Sequence, residues 1–311
     1  MTQLSFHLIL FLILSFNATG SIAQPSYQVA IVQSRTMAPY ALAVEGLQQE
    51  LRKLKIDAQF NFYNIEGDIQ KGEEISKRIL ERRVVLVFAI GTEAFKALSG
   101  YLNEIPIITV MLVDPEGEGI VAKDKTNVYG AYLKVPFEQI FHLIKKIVPD
   151  LNPIALIYLE NRNEAVSEAL AAADQGGISL VPFKIDSVKE FSKALDEISK
   201  RSKALLMTID NELYNSATVK ELLLFSARNK FPIIAFSPSY VKSGALLSFS
   251  SNFLENGKSA ARLSVPILQG KPVKQRFVPT ENVWTAWNKH VAGVFKISLP
   301  REGGAEIDEY A

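Results

Sequence analysis

Two apolar runs constrain the fold of this chain more than any other feature of its sequence. Val84–Ile90 and Ile105–Val113 are rich in β-branched residues, and each run stops at small or polar residues, Gly91 after the first and Asp114 after the second. A short helical pattern separates the two runs. Apolar runs of this length that alternate with helices are typical of buried parallel strands. Because ligands bind in the crevice outside the carboxyl ends of such strands, the residues just after each run are site candidates.

The same alternation of strand and helix occurs twice along the chain. In the first series, strand patterns at Tyr27–Val32 and Ala58–Tyr63 alternate with helical patterns at Pro39–Leu54 and Asp68–Glu81. The second series begins at Ile154, with strand patterns at residues 154–159, 178–183, 204–209 and 232–236. We therefore predict an α/β protein of two lobes, each a doubly wound parallel sheet, joined by hinge crossovers.

The predicted lobes are discontinuous in sequence, because the last part of the chain returns to both of them. The pattern predicts a first lobe from residues 24–130 with 248–280, a second lobe from residues 131–247 with 281–300, and a flexible tail at 301–311. Candidate hinges are Asn127–Pro136, Ser243–Ser250 and Pro279–Val283. Such a layout implies a cleft between the lobes and hinge closure on a ligand.

Residues 1–23 contain no Lys, Arg, Asp or Glu and have the composition of a targeting segment. Leu8–Phe16 is apolar, and Ser21-Ile22-Ala23 fits the small-x-small pattern of a cleavage site. The apolar run is shorter than a bilayer span needs, so we predict a signal peptide cleaved after Ala23; the alternative is an N-terminal membrane anchor. The chain has no cysteine, which excludes disulfides, thiolate metal sites and lipidation of an N-terminal cysteine. These features predict export to a bacterial periplasm.

Charge and motifs exclude several classes of function. The net charge is +1 with both signs interspersed, unlike the basic excess of a nucleic-acid-binding protein. The chain has no GxGxxG after its first strand and no Walker A, GxSxG or HExxH motif. After removal of the signal peptide only His142 and His290 remain, and neither belongs to a metal-binding pattern. We therefore predict no catalytic residue, no metal and no cofactor.

Polar residues at the predicted strand ends form the candidate ligand site, and each has a structural alternative. Thr92 begins a helix whose free N–H groups form an anion site, but Thr92 also suits an N-cap. Asp210 follows a strand of the second lobe, where it would either contact an ammonium group or cap a helix. Ser250 would either cap the next helix or donate to a ligand. An anion site on one lobe and a carboxylate on the other suit a zwitterion such as an amino acid.

Seven further residues complete the predicted ligand site: Ser34, Arg35, Gly91, Glu93, Asp114, Asn161 and Asn211. Arg35 follows the first strand, where it would contact an anionic ligand or only solvent. Asp114 precedes a proline, and the turn that this pair favours gives Asp114 a structural role instead.

The order of these segments is similar to that of a known family. Ile90-Gly91-Thr92-Glu93-Ala94 is followed by Ile105-Pro106-Ile107, Val113-Asp114-Pro115, Gly119-Ile120-Val121, Asn127-Val128-Tyr129-Gly130, Asp210-Asn211, Gly244-Ala245, Asn256-Gly257 and Leu268-Gln269-Gly270-Lys271-Pro272. Over nearly the whole mature chain, this series resembles the periplasmic substrate-binding proteins of ABC transporters with the type I periplasmic-binding fold. The resemblance is to the group that contains tryptophan and tyrosine/phenylalanine binders.

The resemblance implies two lobes that close over a small, amino-acid-like ligand and deliver it to the permease and ATPase of an importer. It also implies that Thr92 and nearby amides hold a carboxylate and that Asp210 holds an amine. Two places depart from the family pattern: Met37–Ala41 replaces a His-Pro-x-Leu-Asp run, and Glu164-Ala165 replaces an Asn-Ser pair. The mature chain is expected to be a soluble monomer. The alternatives are a periplasmic ligand sensor that signals to a membrane kinase, and an α/β enzyme with an unrecognised site.

Overall fold

The computed structural model describes residues 26–116, 119–122, 125–210 and 212–299, together with the backbone of residues 305–307. The side chains of residues 161, 163 and 164 are not described. The predicted signal peptide, residues 1–23, lies outside the described residues. Within them, no helix combines the length and the apolar character that crossing a membrane requires.

The helices and strands follow one another in the predicted alternation. The first part of the chain forms β1 (Tyr27–Gln33), α1 (Ala38–Lys53), β2 (Ala58–Asn64), α2 (Gly72–Glu81), β3 (Leu86–Ile90), α3 (Thr92–Leu98), β4 (Ile107–Leu112) and β5 (Val128–Tyr132). The middle part forms α4 (Phe137–Ile147), β6 (Ile154–Leu159), α5 (Asn163–Gly176), β7 (Leu180–Ile185), α6 (Phe191–Ser199), β8 (Ala204–Leu206), α7 (Ser216–Asn229), β9 (Ile233–Ala235), α8 (Pro238–Lys242) and β10 (Leu247–Ser251). The last part forms α9 (Phe253–Leu268), β11 (Phe277–Pro279), β12 (Val283–Asn288), α10 (Lys289–Phe295) and β13 (Ala305–Ile307). Short 3-10 turns cover Ile69–Lys71, Pro149–Leu151, Glu160–Arg162 and Val188–Glu190.

The strands form two sheets, one in each lobe. The first sheet has the order β11-β5-β4-β3-β1-β2, and all of its neighbours are parallel. The second has the order β13-β12-β10-β9-β8-β6-β7 and is parallel except for the pair β10 and β12. In both sheets the order of strands reverses beside the first strand of the series, which is the doubly wound arrangement. The predicted fold class is therefore confirmed.

The apolar run of β3 is continuous because helices cover both faces of its sheet. Val87 and Ala89 pack into one core cluster, whereas Leu86, Phe88 and Ile90 pack into the cluster on the opposite face. Successive side chains of a strand point to opposite faces, so a strand covered on both sides is apolar at every position.

Helix α9 returns the chain to the first lobe and lies very close to α1. A Cβ added at Gly46 would lie 1.9 Å from the carbonyl oxygen of Leu254, and one added at Gly257 would lie 1.8 Å from that of Ala43. Only glycine allows the two backbones to approach so closely. This contact fixes the segment after residue 252 to the first lobe, although residue 251 still belongs to the second sheet.

The chain crosses between the sheets three times, at residues 133–136, at residue 252 and at residues 280–282. Hydrogen bonds tie these crossings together. The Ser251 hydroxyl donates to the carbonyl of Leu133 at 2.7 Å, and the Thr280 hydroxyl donates to the carbonyl of Tyr132 at 2.9 Å. The three crossings therefore form one joined region rather than three separate linkers.

Asn256, on α9, anchors this region from inside the first lobe. Its side chain is fully buried, and its Nδ2 donates to the carbonyl of Ala131 and to Thr280 Oγ1, both at 3.0 Å. Its Oδ1 accepts from the backbone N–H of Met111 at 2.9 Å. One buried amide thus links α9, β4, β5 and the third crossing.

Three parts of the predicted organisation are corrected. The predicted hinge at Ser243–Ser250 is wrong, because β10 pairs with β12 as far as Ser251 and residues 248–251 therefore belong to the second lobe. Residues 131 and 132, predicted in the second lobe, end β5 in the first sheet. The predicted flexible tail contains a strand at residues 305–307, which pairs with the exposed edge of β12.

Candidate functional site

A cavity of about 300 Å³ lies between the lobes, at the carboxyl ends of the strands. The first lobe contributes Val113 and Asp114 after β4, and the first crossing contributes residues 133–135. The remaining lining belongs to the second lobe. Its apolar wall comprises Phe137, Ile140, Leu156, Tyr158, Ala165, Val166, Met207, Ile209, Phe236 and Phe249, and its polar groups are Arg162, Glu168, Thr208, Asp210, Ser250 and Ser251.

The wall depends on how β8 ends. The apolar run of residues 204–209 predicts a strand of six residues, but only Ala204–Leu206 pairs as β8. The Met207 N–H still donates to the carbonyl of Ile234 in β9, and the chain leaves the sheet at Thr208 and Ile209. All three residues line the cavity. A wider groove of about 540 Å³ between α7 and α10 lies away from these strand ends, and no carboxylate lines it.

Asp210 is buried at the polar end of the cavity, with only 3% of its surface exposed. Its Oδ1 accepts hydrogen bonds from the backbone N–H groups of Glu212 and Leu213, both at 3.0 Å. Its Oδ2 accepts from Nε of Arg162 at 3.2 Å. One carboxylate oxygen of Asp210 thus caps the turn at residues 212–214, and the other belongs to an ion pair. The predicted helix-capping role is wrong, because Asn215 caps the following helix α7.

Arg162 completes this ion pair from the turn between β6 and α5. Its side chain is 48% exposed and lines the cavity. Only Nε has a partner: Nη1 and Nη2 make no hydrogen bond to any described residue. With respect to the described residues, both of these nitrogens are thus available to a ligand.

A second charged cluster lies where the first crossing meets both lobes. Lys134 Nζ, on the first crossing, lies 3.2 Å from Oδ2 of Asp114 in the first lobe and 2.7 Å from Oε2 of Glu168 on α5. Burial acts to lower the pKa of Lys134, but hydrogen bonds and charge from these carboxylates raise it above its ordinary value. Lys134 is therefore a permanent cation that bridges the two lobes.

Ser250 lies in the cavity lining and does not cap a helix. Its hydroxyl oxygen is buried and has no hydrogen-bond partner among the described residues. Asn252 caps α9 instead, because its Oδ1 accepts from the N–H groups of Leu254 and Glu255. The predicted capping role belongs to Asn252, and Ser250 keeps its donor capacity.

The strand ends of the first lobe are bonded mainly to one another. Ser34 is fully buried, and its Oγ accepts from the N–H of Ala94 at 2.9 Å. Gly91, with φ of 91°, is the N-cap of α3, so Thr92 is the first helical residue and not the cap. A Cβ at Gly91 would lie 2.5 Å from both the Ser34 Oγ and the Tyr40 hydroxyl oxygen.

Arg35 and Glu93 complete this edge. They form an exposed pair at 3.7 Å, with side chains 57% and 40% exposed. Ser34, Arg35, Gly91, Thr92 and Glu93 lie together, but none of them lines the cavity. Of the ten predicted residues, the cavity brings together Asp114, Asp210 and Ser250. The side chain of Asn161 and the whole of Asn211 lie outside the described residues.

The sequence analysis missed Arg162, Lys134 and Glu168. Arg162 had a usable signal, because it follows the strand IALIYL of the second lobe at the predicted ligand edge. Lys134 lies inside the predicted hinge Asn127–Pro136. Glu168 had no signal in the sequence, because its position on α5 is that of an ordinary exposed helix residue. No group of three or more possible metal ligands occurs among the described residues.

The model of the family described as ABC transporter substrate binding protein matches residues 28–300. The chain belongs to this family. It is a family of solute-binding proteins rather than enzymes, and the resemblance drawn from the sequence is confirmed. The chain is 25% identical over 238 residues to a tyrosine-binding protein of Clostridioides difficile, a match that covers 74% of this chain and 68% of that protein.

Solved structures with similar coordinates confirm a type I periplasmic-binding fold. A ligand-free, open substrate binding protein with adhesive properties from Clostridium difficile is 22% identical, with a TM-score of 0.73 over 90% of this chain and 99% of that one. An ABC domain from Streptococcus pneumoniae in complex with L-Trp is 24% identical, with a TM-score of 0.56 over 91% of this chain and 100% of that one. At these identities the likeness shows the fold alone.

Proposed function

We propose that this protein is the solute-binding component of an ABC importer and that it binds an aromatic L-amino acid in the cavity between its lobes. The observation that carries the proposal is the cavity itself, which has the Arg162–Asp210 ion pair at one end and a mostly apolar wall beyond it. A zwitterionic head with an apolar side chain matches both ends.

The dimensions and chemistry of the cavity support this class of ligand. Its volume of about 300 Å³ is at the lower end of the range for small-molecule sites. Phe137, Tyr158, Phe236 and Phe249 offer aromatic surface to an apolar side chain. The relatives described as binding tyrosine and L-Trp support the same class.

The lobes are proposed to close on this ligand about the three tied crossings. The N–H groups of Thr92 and Glu93 have no partner among the described residues, and Thr92 stays our proposed first-lobe contact in the closed form. Closure by hinges at such crossings is the usual response to ligand in two-lobed proteins.

The proposed cellular role follows from the family and the leader. The predicted signal peptide, with cleavage after Ala23, would place the protein in the periplasm, where it would deliver ligand to a permease with its ATPase. In this role the ligand is not converted. Mass spectrometry after prolonged incubation should therefore recover the bound amino acid unchanged.

A thermal-shift screen of the L-amino acids on the chain without residues 1–23 tests the proposal. A ligand at a hundredfold excess over its Kd should stabilise the native state by about 2.7 kcal/mol. Aromatic amino acids should raise the melting temperature, whereas glycine, which leaves the apolar wall uncovered, should not. A screen in which no aromatic amino acid shifts the transition would overturn the proposal.

A further inference from the structure

We infer that the guanidinium of Arg162 binds the carboxylate of the ligand, and that Asp210 positions this guanidinium rather than holding the ligand's amine. The inference rests on the proposed function and names the group in that site which recognises charge. It differs from the assignment that the family resemblance implies, in which Thr92 holds the carboxylate and Asp210 the amine.

Asp210 has little left to offer an ammonium group. Two backbone N–H groups occupy Oδ1, and Arg162 Nε occupies Oδ2. The charge of Asp210 is already balanced by Arg162, so an arriving ammonium would meet a neutral pair. It would have to share Oδ2 with the guanidinium, because that oxygen has only one acceptor site left.

Arg162 has the opposite property. Its Nε is held by a carboxylate that is itself held by two amides, so the plane of the guanidinium is oriented before any ligand arrives. Nη1 and Nη2 carry the remaining N–H donors at the cavity lining. A carboxylate can accept two parallel hydrogen bonds from such a fork, which is a strong and directional arrangement.

The other charges in the lining favour a zwitterion over a simple anion. Asp114, Lys134 and Glu168 together carry a net charge of −1, whereas Arg162 and Asp210 sum to zero. A ligand with two carboxylates would be repelled by this excess. A ligand with one carboxylate and one ammonium group can satisfy Arg162 and offset the excess charge at the same time.

The Ser250 hydroxyl supports a second polar contact elsewhere in the cavity lining. Its oxygen is buried and has no hydrogen-bond partner among the described residues, which is costly unless a ligand or water supplies one. Ser250 lies at the end of β10, whereas Arg162 follows β6, and β8 and β9 lie between these two strands in the sheet.

The test measures by calorimetry the affinities of two ligand series for the unaltered chain and for Arg162→Gln. The first series consists of L-tyrosine, of tyramine, which lacks the carboxylate, and of 3-(4-hydroxyphenyl)propionate, which lacks the amine. Tryptophan, tryptamine and indole-3-propionate form the second series. We expect Arg162→Gln to weaken both carboxylate ligands by about 10- to 100-fold and to leave the amine ligand unchanged within about twofold.

Three controls keep this result interpretable. Arg201→Gln, an exposed arginine of the same lobe outside the cavity, should leave all affinities unchanged. Because Arg162→Gln leaves a buried carboxylate unpaired, the double variant Arg162→Gln with Asp210→Asn removes both charges and should show the same loss for carboxylate ligands. Far-UV circular dichroism of each variant verifies folding.

Three outcomes would overturn the inference, and they differ. If Arg162→Gln binds tyrosine or tryptophan as tightly as the unaltered chain, or weakens the amine ligand equally, Arg162 does not bind the carboxylate, and the proposed function stands. If the unaltered chain binds neither amino acid, the proposed function fails and this inference fails with it. If the single variant Asp210→Asn no longer binds tyramine or tryptamine, Asp210 holds the ligand's amine and the inference is wrong.

Discussion

The two lobes present different edges to the cleft, although both edges are built from the ends of parallel strands. In the first lobe, the Ser34 hydroxyl accepts from Ala94, and Arg35 pairs with Glu93. In the second lobe, Nη1 and Nη2 of Arg162 and the Ser250 hydroxyl have no hydrogen-bond partner among the described residues. The side chains of the first edge are thus largely bonded to one another, whereas two side chains of the second edge have polar atoms left for a ligand.

This difference shows that position at a strand end is not enough to identify a binding residue. The topology places these side chains at the carboxyl ends of the strands, but the partners that each side chain finds in the folded protein decide whether it is available. The following predictions test this contrast. They use the fact that both tryptophans, Trp284 and Trp287, lie on β12 in the second lobe. Tryptophan fluorescence therefore reports the second lobe, while far-UV circular dichroism reports both.

The largest effect is expected for Asn256→Ala, which removes the buried amide of the first lobe. It would leave the Met111 N–H and the Ala131 carbonyl without partners, at a cost of about 3–4 kcal/mol of unfolding free energy. In urea denaturation, the transition midpoint should shift more when it is followed by circular dichroism than when it is followed by tryptophan fluorescence. Asn282→Ala is the matched control, because Asn282 is exposed and its side chain bonds, among the described residues, to Glu255 alone. Equal shifts by both probes would mean that the lobes unfold as one unit.

Gly91→Ala should lower the unfolding free energy by about 2–3 kcal/mol, again in the first lobe. Its φ of 91° disfavours a side chain, and the new methyl group would lie within 2.5 Å of two hydroxyl oxygens. Gly293→Ala, in helix α10 of the second lobe, has open space around the added Cβ and should be stabilising by about 0.5 kcal/mol. Tolerance of alanine at residue 91 would contradict the close packing of the first edge.

Tyr214→Phe should stabilise the second lobe by about 1 kcal/mol, because the Tyr214 hydroxyl is buried without a partner among the described residues. Burial, followed by the charge of Asp210, raises the pKa of Tyr214 far above 10 in the folded state. Above about pH 10 the Tyr214 hydroxyl ionises in the unfolded chain but stays protonated in the folded chain. The unfolding free energy of the unaltered protein therefore keeps its full value below pH 10 and falls as the pH rises further. Urea denaturation at pH 7 and at pH 10.5 should therefore show a smaller fall in unfolding free energy for Tyr214→Phe than for the unaltered protein.

Tyr40→Phe supplies the matched control in the first lobe. Burial raises the pKa of Tyr40, whereas an interaction with the Ser34 side chain acts to lower it, so loss of the Tyr40 hydroxyl should destabilise the protein by about 1 kcal/mol at pH 7. The two tyrosines should therefore give effects of opposite sign. A destabilising Tyr214→Phe would show that its hydroxyl has a partner in solution.

The smallest effect is expected for Arg35→Ala, below about 0.5 kcal/mol, because the pair with Glu93 is exposed and long. Arg162→Ala is the comparison, since it removes the partner of a buried carboxylate and should cost clearly more. The check is urea denaturation at low ionic strength. Similar unfolding free energies for the two variants would contradict the claim that the ion pair of the second edge contributes more to stability than that of the first.

Much of the fold was predictable because its signals are local. The strand at Ile154–Leu159 was predicted with its exact bounds, and β3 was recognised from an apolar run that two helical layers make necessary. The end of β8 was not predictable, because Met207–Ile209 has the same apolar character whether it pairs in a sheet or lines a cavity. The second crossing was also misplaced, because its position depends on how far β10 pairs with β12.

The sequence by itself determined that this chain forms two doubly wound lobes and that its family is that of ABC transporter substrate-binding proteins. It also predicts a ligand edge at the ends of the strands. Tertiary structure alone decided which polar residues at that edge are already bonded. Ser34 and Asp210 both follow strands, yet one is enclosed in the first lobe and the other orients Arg162 at the cavity. The physical reason is that hydrogen-bond partners come from residues distant in sequence, 60 positions away for Ser34 and 48 for Asp210. No pattern along the chain records which of these pairs forms.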